Sequence, residues 1–266
     1  MVGLGVARSG KRSLSGDLRY LDGTTFAILA AVTLVVGMNL GTYALLAADT
    51  RVSYYPNGVF QYLDMREKIQ PTSMGLITAT GFTGFLDPVE KLLLSRPIES
   101  SEDIVDVVAE VKADVVARPW MSDPRVVEGI EASSWLFTYR TPDIENPRAH
   151  LLRLAQLGAH TGWRLALGLC GYGCMNRPVG APNSLLAEQC ELANQTIRPL
   201  DSLDNFADNF RQHYRTCLNI FRAVSEKCAT VSPTFQIGLT FVSGGSCTTG
   251  VIDANSPPER LIWRDM

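Results

Sequence analysis

The chain has 266 residues, of which 46% are hydrophobic, so it is long enough to bury a sizeable core. It carries 24 Lys and Arg against 27 Asp and Glu, and the resulting net charge of -3 disfavours a nucleic-acid partner. Charged residues make up only 19% of the chain and the mean hydropathy is +0.06. These two values favour a membrane-attached protein over a free cytosolic enzyme.

The first feature in chain order is an uncharged segment of 26 residues, from Gly23 to Ala48. About 20 apolar residues are enough for a helix to cross the hydrocarbon core of a bilayer. The sequence therefore predicts one transmembrane helix over residues 23–48, preceded by a basic N-terminal tail over residues 1–22. A buried core helix is the alternative for the same segment.

Basic residues are distributed unequally around this segment. The 15 residues before it contain four basic residues, Arg8, Lys11, Arg12 and Arg19, whereas the 15 residues after it contain Arg51 alone. Because positive charges favour the side from which a segment is inserted, this asymmetry predicts an N-terminus in the mitochondrial matrix or cytosol. Everything after Ala48 would then be exported, and the bilayer itself would be a partner.

Small residues recur within the predicted membrane helix. Gly37 and Gly41 have GxxxG spacing, Asn39 lies between them, and Thr33 continues the small-residue stripe one turn earlier. Such a stripe allows two membrane helices to approach closely, and the Asn amide would seek a partner in hydrocarbon. The pattern predicts a packing surface for another membrane subunit, although glycine is common enough in membrane helices for chance to explain it.

Residues 49–145 are predicted to form an irregular region with short helices. The dipeptides Asp87-Pro88 and Asp123-Pro124 each resemble an N-cap followed by the first helical residue. A further helix is expected to begin at Ser100 or Ser101, because Ile and Val recur at helical spacing after it, and to end at Arg118-Pro119.

Residues 146–266 are predicted to form a helical hairpin domain. Asn146-Pro147 indicates the start of a helix that extends to Cys170, and a shorter helix is expected over 184–197. Apolar residues from 203 to 228 follow an unbroken spacing of four and three, which predicts a helix about seven turns long. Residues 234–252 predict a small C-terminal β-hairpin before an extended tail. The predicted fold class is therefore mainly α, with an exported, disulfide-stapled domain.

The chain has six cysteines, all on the predicted exported side. An even number of cysteines in an oxidising compartment favours disulfides, although spacing does not fix their connectivity, and buried unpaired thiols are the alternative. If the helices form an antiparallel hairpin, the candidate pairs are Cys190 with Cys217, Cys174 with Cys228, and Cys170 with Cys247.

No catalytic, cofactor or metal site emerges from the sequence. Cys170 and Cys174 lack the two-residue spacing of common zinc knuckles, and the three histidines do not form a ligand pair. The turn from Ser243 to Ser246 lacks the G-x-S-x-G pattern of a nucleophile elbow. We therefore expect a protein without cofactors that is not an enzyme.

These observations favour a non-catalytic accessory subunit of a membrane complex. The first sixteen residues contain Arg and Ser but no acidic residue, which resembles a mitochondrial targeting segment. The predicted location is the mitochondrial inner membrane, in a respiratory-chain or ATP synthase complex, with the C-terminal domain in the intermembrane space. The alternatives are a thylakoid subunit, an envelope protein, or a type II secretory-pathway protein acting as a lumenal enzyme or cell-surface binding module. Glycosylation at Asn194 would indicate the secretory alternative.

Overall fold

A computed structural model of the protein describes twelve stretches of the chain, and all structural statements below refer to them. They are residues 30–31, 33–41, 43–54, 61–64, 66–142, 150–159, 162–165, 171–175, 183–196, 205–243, 246–253 and 263–265.

The strands form two six-stranded antiparallel sheets. The strands of the first sheet are β1 (Ala30–Ala31), β6 (Ile69–Thr72), β7 (Gly75–Phe82), β8 (Ser134–Pro142), β9 (His150–Gly158) and β10 (Gly162–Leu165). In this sheet, β7 lies between β8 on one side and both β1 and β6 on the other, and β9 and β10 follow β8.

The strands of the second sheet are β2 (Val35–Asn39), β3 (Tyr43–Asp49), β11 (Gly171–Met175), β12 (Phe235–Ser243), β13 (Ser246–Asp253) and β14 (Trp263–Asp265). Their order in the sheet is β11-β2-β3-β12-β13-β14. A separate two-stranded ribbon consists of β4 (Arg51–Tyr54) and β5 (Gln61–Asp64). The strands β12 and β13 form the hairpin expected near the C-terminus.

Helices cover the outer face of each sheet. The helices are α1 (Thr83–Ser95), α2 (Ser101–Val116), α3 (Pro124–Glu131), α4 (Asn183–Thr196) and α5 (Phe206–Ser225). Helices α1 to α3 pack on the first sheet through a core that includes Phe85, Val108 and Trp135. Helices α4 and α5 contribute to the core on the second sheet, where the ring of Phe221 stacks on that of Phe235 with centroids 4.4 Å apart.

The two sheets face each other through a third apolar cluster. Leu46 and Val35 of the second sheet pack there against Leu76 and Leu136 of the first. Gly238 of β12 allows a close approach, since a Cβ at that position would lie 2.5 Å from Leu76 Cδ1. The result is a four-layer arrangement of helices, sheet, sheet and helices.

The predicted membrane helix is wrong. Within residues 23–48 the structure shows β1, β2 and most of β3, and every residue of β2 and β3 is buried. Strands covered on both faces have near-continuous apolar sequences, so the segment has the composition of a membrane span without its conformation. No helix in the described part of the chain is long and apolar enough to cross a bilayer.

This correction removes the basis for several other predictions. The mainly α fold class is wrong because antiparallel sheets form the centre of the protein. The predicted mitochondrial inner-membrane location and the accessory-subunit function are also wrong, since both depended on an anchor helix that is replaced by core strands. The residues Gly37, Asn39 and Gly41 therefore do not form a membrane packing surface.

Two local helix predictions also fail. Pro88 lies inside α1 instead of at its start, because the helix begins five residues earlier at Thr83. The helix predicted after Asn146-Pro147 is replaced by β9 and β10, which pair with each other in the first sheet. Alternate residues of β9, such as Ala155 and Leu157, are buried against helices α1 to α3, so sheet packing explains their apolar character.

Helix α2 begins at Ser101, as the sequence predicted, because contacts between neighbouring residues fix its start. Ser100 accepts a hydrogen bond from the backbone N–H of Asp103, whose side chain accepts one in return from the Ser100 backbone N–H. This reciprocal capping fixes the start of the helix. Ile104 and Val111 then lie on its buried face.

Gly81, at the end of β7, is the first position where we predict a large effect on stability. Its φ is 134°, and a Cβ there would lie 2.1 Å from Ser133 Oγ. We expect Gly81→Ala to lower the free energy of unfolding by about 3 kcal/mol. An alanine is strained at this φ, and its Cβ would force β7 and Ser133 apart. Chemical denaturation measures this loss.

Gly129→Ala is the matched control, because a Cβ at Gly129 meets its nearest atom at 3.2 Å and the residue lies within helix α3. The gain in helix propensity there is about 1 kcal/mol and offsets the tight contact. Equal unfolding midpoints for the two variants would contradict the close approach of β7 to Ser133.

Candidate functional site

The candidate site is centred on Thr33, which lies just before β2. Its side chain is almost completely buried, with 1% of the residue exposed. Its hydroxyl oxygen accepts a hydrogen bond from the Nζ of Lys68 at 2.8 Å. A hydroxyl within hydrogen-bond reach of an amine is the geometry of an activated oxygen nucleophile with its base.

Lys68 lies just before β6 and is held by groups from several parts of the chain. Its backbone N–H donates to Gln236 Oε1 at 2.6 Å, which ties the start of β6 to strand β12. Its Nζ also donates to the backbone carbonyl of Arg51 and, at 3.3 Å, to Asp49 Oδ1. The ammonium group is therefore fixed between Thr33 and Asp49.

Asp49, the last residue of β3, is fully buried and has its carboxylate oriented by backbone amides. Its Oδ1 accepts from Leu34 N at 2.9 Å, and its Oδ2 accepts from Arg51 N at 3.0 Å and Ser232 N at 3.2 Å. Three fixed donors hold the carboxylate in one orientation, so it can position the Lys68 side chain.

Burial changes the protonation equilibria of this pair. It lowers the pKa of Lys68, although the neighbouring Asp49 carboxylate acts in the opposite direction. It also raises the pKa of Asp49, against the attraction of Lys68 and the three backbone amides. A lysine with a lowered pKa reaches its neutral form at a lower pH, and only the neutral amine can accept a proton.

Thr33 and Lys68 also line a pocket that is open to solvent. Most of its remaining walls are apolar side chains from β4, β7, β8 and α1. The lining residues are Thr33, Val52, Arg66, Lys68, Gln70, Ile77, Thr78, Ala79, Thr83, Leu86, Glu90, Leu93, Leu94 and Trp135. A concave, mostly apolar cavity with a few polar groups is typical of a site for a small molecule or a substrate side chain.

Two residues of the pocket wall, Arg66 and Glu90, belong to an ion cluster. The Nη2 of Arg66 donates to Asp87 Oδ1 and, at 3.1 Å, to Glu90 Oε2, both on helix α1. Burial lowers the pKa of Arg66, but the two carboxylates more than compensate and keep it above its ordinary value. Burial also raises the pKa of Glu90 against the attraction of Arg66.

Strand β1 lies directly before the site in the chain. Ala30 and Ala31 pair with Phe82 and Gly81 at the edge of β7, and they also lie beside β4. An extended piece of this chain therefore lies against β7 and β4, close in sequence to Thr33.

The residues that the sequence indicated as functional lie elsewhere or have other roles. A Cβ on Gly37 would lie 2.7 Å from Leu136 Cδ2, so this glycine allows the sheets to approach closely. Asn39 accepts through Oδ1 from the backbone N–H of Gly41, whose φ is 85°, so both shape the turn between β2 and β3.

The cysteine predictions are corrected for two of the three pairs. Cys217, on α5, and Cys228, just after it, are buried in the core on the second sheet and form no disulfide in the structure, which contradicts the predicted pairs with Cys190 and Cys174. A buried reduced cysteine packs as a small apolar side chain, which accounts for their place in the apolar pattern of the helix. The third predicted pair, Cys170 with Cys247, lies outside the described side chains.

Sequence reasoning missed Lys68 and Asp49 and placed Thr33 on a membrane helix. The three residues are separated by 16 and 19 positions and lie at or just before the ends of different strands. No short motif connects them. Among the described residues, no cluster of His, Cys, Asp and Glu is suited to a metal ion.

No family model and no curated protein matches the chain. Among solved structures, a Gly-1 mutant of Anbu from Hyphomicrobium sp. strain MC1 aligns at 13% identity with a TM-score of 0.49, covering 88% of this chain and 87% of that chain. At this similarity the alignment assigns neither a family nor an activity.

Proposed function

We propose that this protein is a hydrolase of peptide or related amide bonds that uses Thr33 as its nucleophile. The observation that carries the proposal is the distance of 2.8 Å between Thr33 Oγ1 and Lys68 Nζ. The same Nζ lies 3.3 Å from Asp49 Oδ1. A nucleophile, its base and a group that orients the base make up the arrangement required for covalent catalysis.

In the first step, Thr33 Oγ attacks the carbonyl carbon of the bound amide while neutral Lys68 Nζ takes the hydroxyl proton. The tetrahedral species then collapses, the C–N bond breaks, and the leaving amine receives the proton from Lys68. The products of this step are an ester between Thr33 and the acyl group, and a free amine. Asp49 stabilises the lysine while it carries the proton.

In the second step, water hydrolyses the ester. Lys68 Nζ takes a proton from the attacking water, the bond between the acyl carbon and Thr33 Oγ breaks, and the proton passes to the threonine oxygen. The acyl group leaves as a carboxylic acid, and Thr33 and Lys68 regain their starting protonation states.

The same chemistry would act once on the chain itself. Thr33 follows Val32, so its α-nitrogen belongs to a peptide bond. Attack of Thr33 Oγ on the Val32 carbonyl would convert this bond into an ester, and hydrolysis would release residues 1–32. The freed α-amine of Thr33 would then be a second candidate base, as in other threonine nucleophiles at chain termini.

The position of β1 supports an extended peptide as substrate. Ala30 and Ala31 pair with the edge of β7 through an antiparallel ladder. Release of this segment would leave the same edge open, and a substrate strand could pair with Gly81 and Phe82 in its place. The main chain of the substrate would then be positioned beside Thr33.

A covalent probe tests this proposal. The full chain is incubated with a short peptide vinyl sulfone, whose vinyl carbon forms a bond with an attacking oxygen, and the modified residue is identified by peptide mass spectrometry. We expect one adduct, on Thr33, and none in Thr33→Val, which removes the hydroxyl but keeps a branched side chain. An adduct on another residue, or no adduct together with no peptide hydrolysis, would contradict the proposal.

A further inference from the structure

We propose that the pocket beside Thr33 selects an uncharged, largely apolar substrate side chain on the acyl side of the cleaved bond. We further propose that Arg66, Asp87 and Glu90 set this preference because each of these charged groups already has a partner within the cluster. The inference rests on the proposed hydrolase function, because it assigns the pocket to the residue whose carbonyl Thr33 attacks.

The apolar walls provide the attraction. Leu86 and Leu93 of α1 line the pocket and are 6% and 3% exposed, so their positions are fixed by the core. Trp135 lies against the ring of Phe85 in an edge contact, with centroids 5.3 Å apart. A rigid apolar surface of this kind favours aliphatic and aromatic side chains by removing their surface from water.

The ion cluster discriminates against charged side chains. Arg66 already donates to two carboxylates, so an acidic substrate side chain would have to compete with Asp87 and Glu90 for it. A basic side chain would approach the same carboxylates only by displacing Arg66 or by lying beside its positive charge. A charged substrate side chain of either sign would therefore lose water on entering the pocket without forming a full ion pair in exchange.

Thr83 adds a neutral hydrogen-bonding group to the pocket. Its hydroxyl oxygen is buried and has no hydrogen-bond partner in the described part of the chain. A neutral amide could bond to this hydroxyl, whereas a charged group would need a counter-ion there. We therefore expect glutamine to be accepted better than lysine or aspartate.

The test uses fluorogenic tripeptide amides that differ only in the residue before the cleaved bond: leucine, phenylalanine, glutamine, lysine or aspartate. For the wild-type protein, kcat/KM for leucine and phenylalanine should exceed that for lysine and aspartate by at least about tenfold. Hydrolysis of none of these peptides would contradict the hydrolase function itself. Hydrolysis with lysine or aspartate preferred would overturn the pocket proposal alone.

Two variants of opposite charge sharpen the test. The double variant Asp87→Asn/Glu90→Gln leaves Arg66 without carboxylate partners and should raise the aspartate-to-leucine ratio of kcat/KM by about tenfold or more. Arg66→Met leaves two carboxylates and should raise the lysine-to-leucine ratio instead. Ratios measured within one variant are independent of the fraction of active protein.

The exposed ion pair between Arg96 and Glu110 provides the matched controls. Arg96→Met and Glu110→Gln change the net charge by one unit away from the pocket, and we expect both ratios to stay at the wild-type values. If the double variant unfolds, Glu90→Gln alone should still raise the aspartate-to-leucine ratio of kcat/KM. Unchanged ratios in all folded pocket variants would overturn the proposal and leave the hydrolase function standing.

Discussion

Replacement of Thr33 by alanine is expected to lower kcat/KM for peptide hydrolysis by at least about 10³-fold, because it removes the attacking oxygen. Thr33→Ser keeps the hydroxyl and should retain measurable activity. The same two variants also report on cleavage of the chain before residue 33. Intact mass should show residues 1–32 released from the wild-type protein and from Thr33→Ser, but retained in Thr33→Ala.

A purely structural role for Thr33 makes a different prediction. The hydroxyl would then only satisfy the buried Lys68 amine, and its loss would reduce stability without a specific effect on hydrolysis. Thr33→Val separates the two roles, since valine is close in shape to threonine. A Thr33→Val protein that unfolds near the wild-type temperature but lacks hydrolysis supports the nucleophile, whereas one that hydrolyses peptides normally excludes it.

The sequence was informative where local interactions decide the structure. Helix α2 was predictable because the Ser100 cap and the spacing of its Ile and Val residues both act within a few turns. Helix α5 was predictable because its buried residues, such as Phe210 and Phe221, lie on one continuous face. Both helices contact a sheet through one side and solvent through the other, which produces a clear helical period.

The central strands lack such a period. All residues of β2 and β3 are buried, since one sheet face packs on α5 and the other on the first sheet. A strand buried on both faces has no alternation between apolar and polar residues. The length of the uncharged segment is then the remaining signal, and it favours a membrane helix. The turn residues Asn39 and Gly41 were the local signal for two strands, but the same residues also fit a helix packing motif.

The candidate site was not predictable because its geometry is tertiary. Thr33, Asp49 and Lys68 each lie at a strand boundary, and only the packing of the two sheets brings them together. A threonine, an aspartate and a lysine at these spacings are ordinary in any sequence. The buried ion pair becomes informative only once burial is known, since a charged pair is seldom buried without a role in structure or chemistry.

Lys68 is the residue whose replacement should have the second largest effect on activity. Lys68→Arg keeps the positive charge, but an arginine does not release its proton in a protein, so it cannot act as a base. We expect kcat/KM to fall by about 10³-fold or more. In the wild-type protein, kcat/KM should rise with pH as Lys68 becomes neutral, beginning below the ordinary lysine pKa because burial lowers it.

Loss of activity in a Lys68 variant must be separated from loss of folding. Lys68→Met leaves Asp49 buried without its cation, which should reduce the free energy of unfolding by about 3–5 kcal/mol. The double variant Lys68→Met/Asp49→Asn removes both charges and should recover much of that stability. The amide oxygen that this variant carries at position 49 could still accept from the backbone N–H groups of Arg51 and Ser232, as Asp49 Oδ2 does in the structure, so the bond from Leu34 N is the one lost.

This pair of variants therefore distinguishes a base from a structural ion pair. If Lys68 serves only to neutralise Asp49, the stable double variant should hydrolyse peptides, because its core is intact and Thr33 is present. If Lys68 accepts the Thr33 proton, the double variant should fold, melt cooperatively and remain inactive. A neutral, stable core without hydrolysis is the result we expect, since Lys68 Nζ lies 2.8 Å from the Thr33 hydroxyl oxygen and is therefore the group in position to take its proton once neutral.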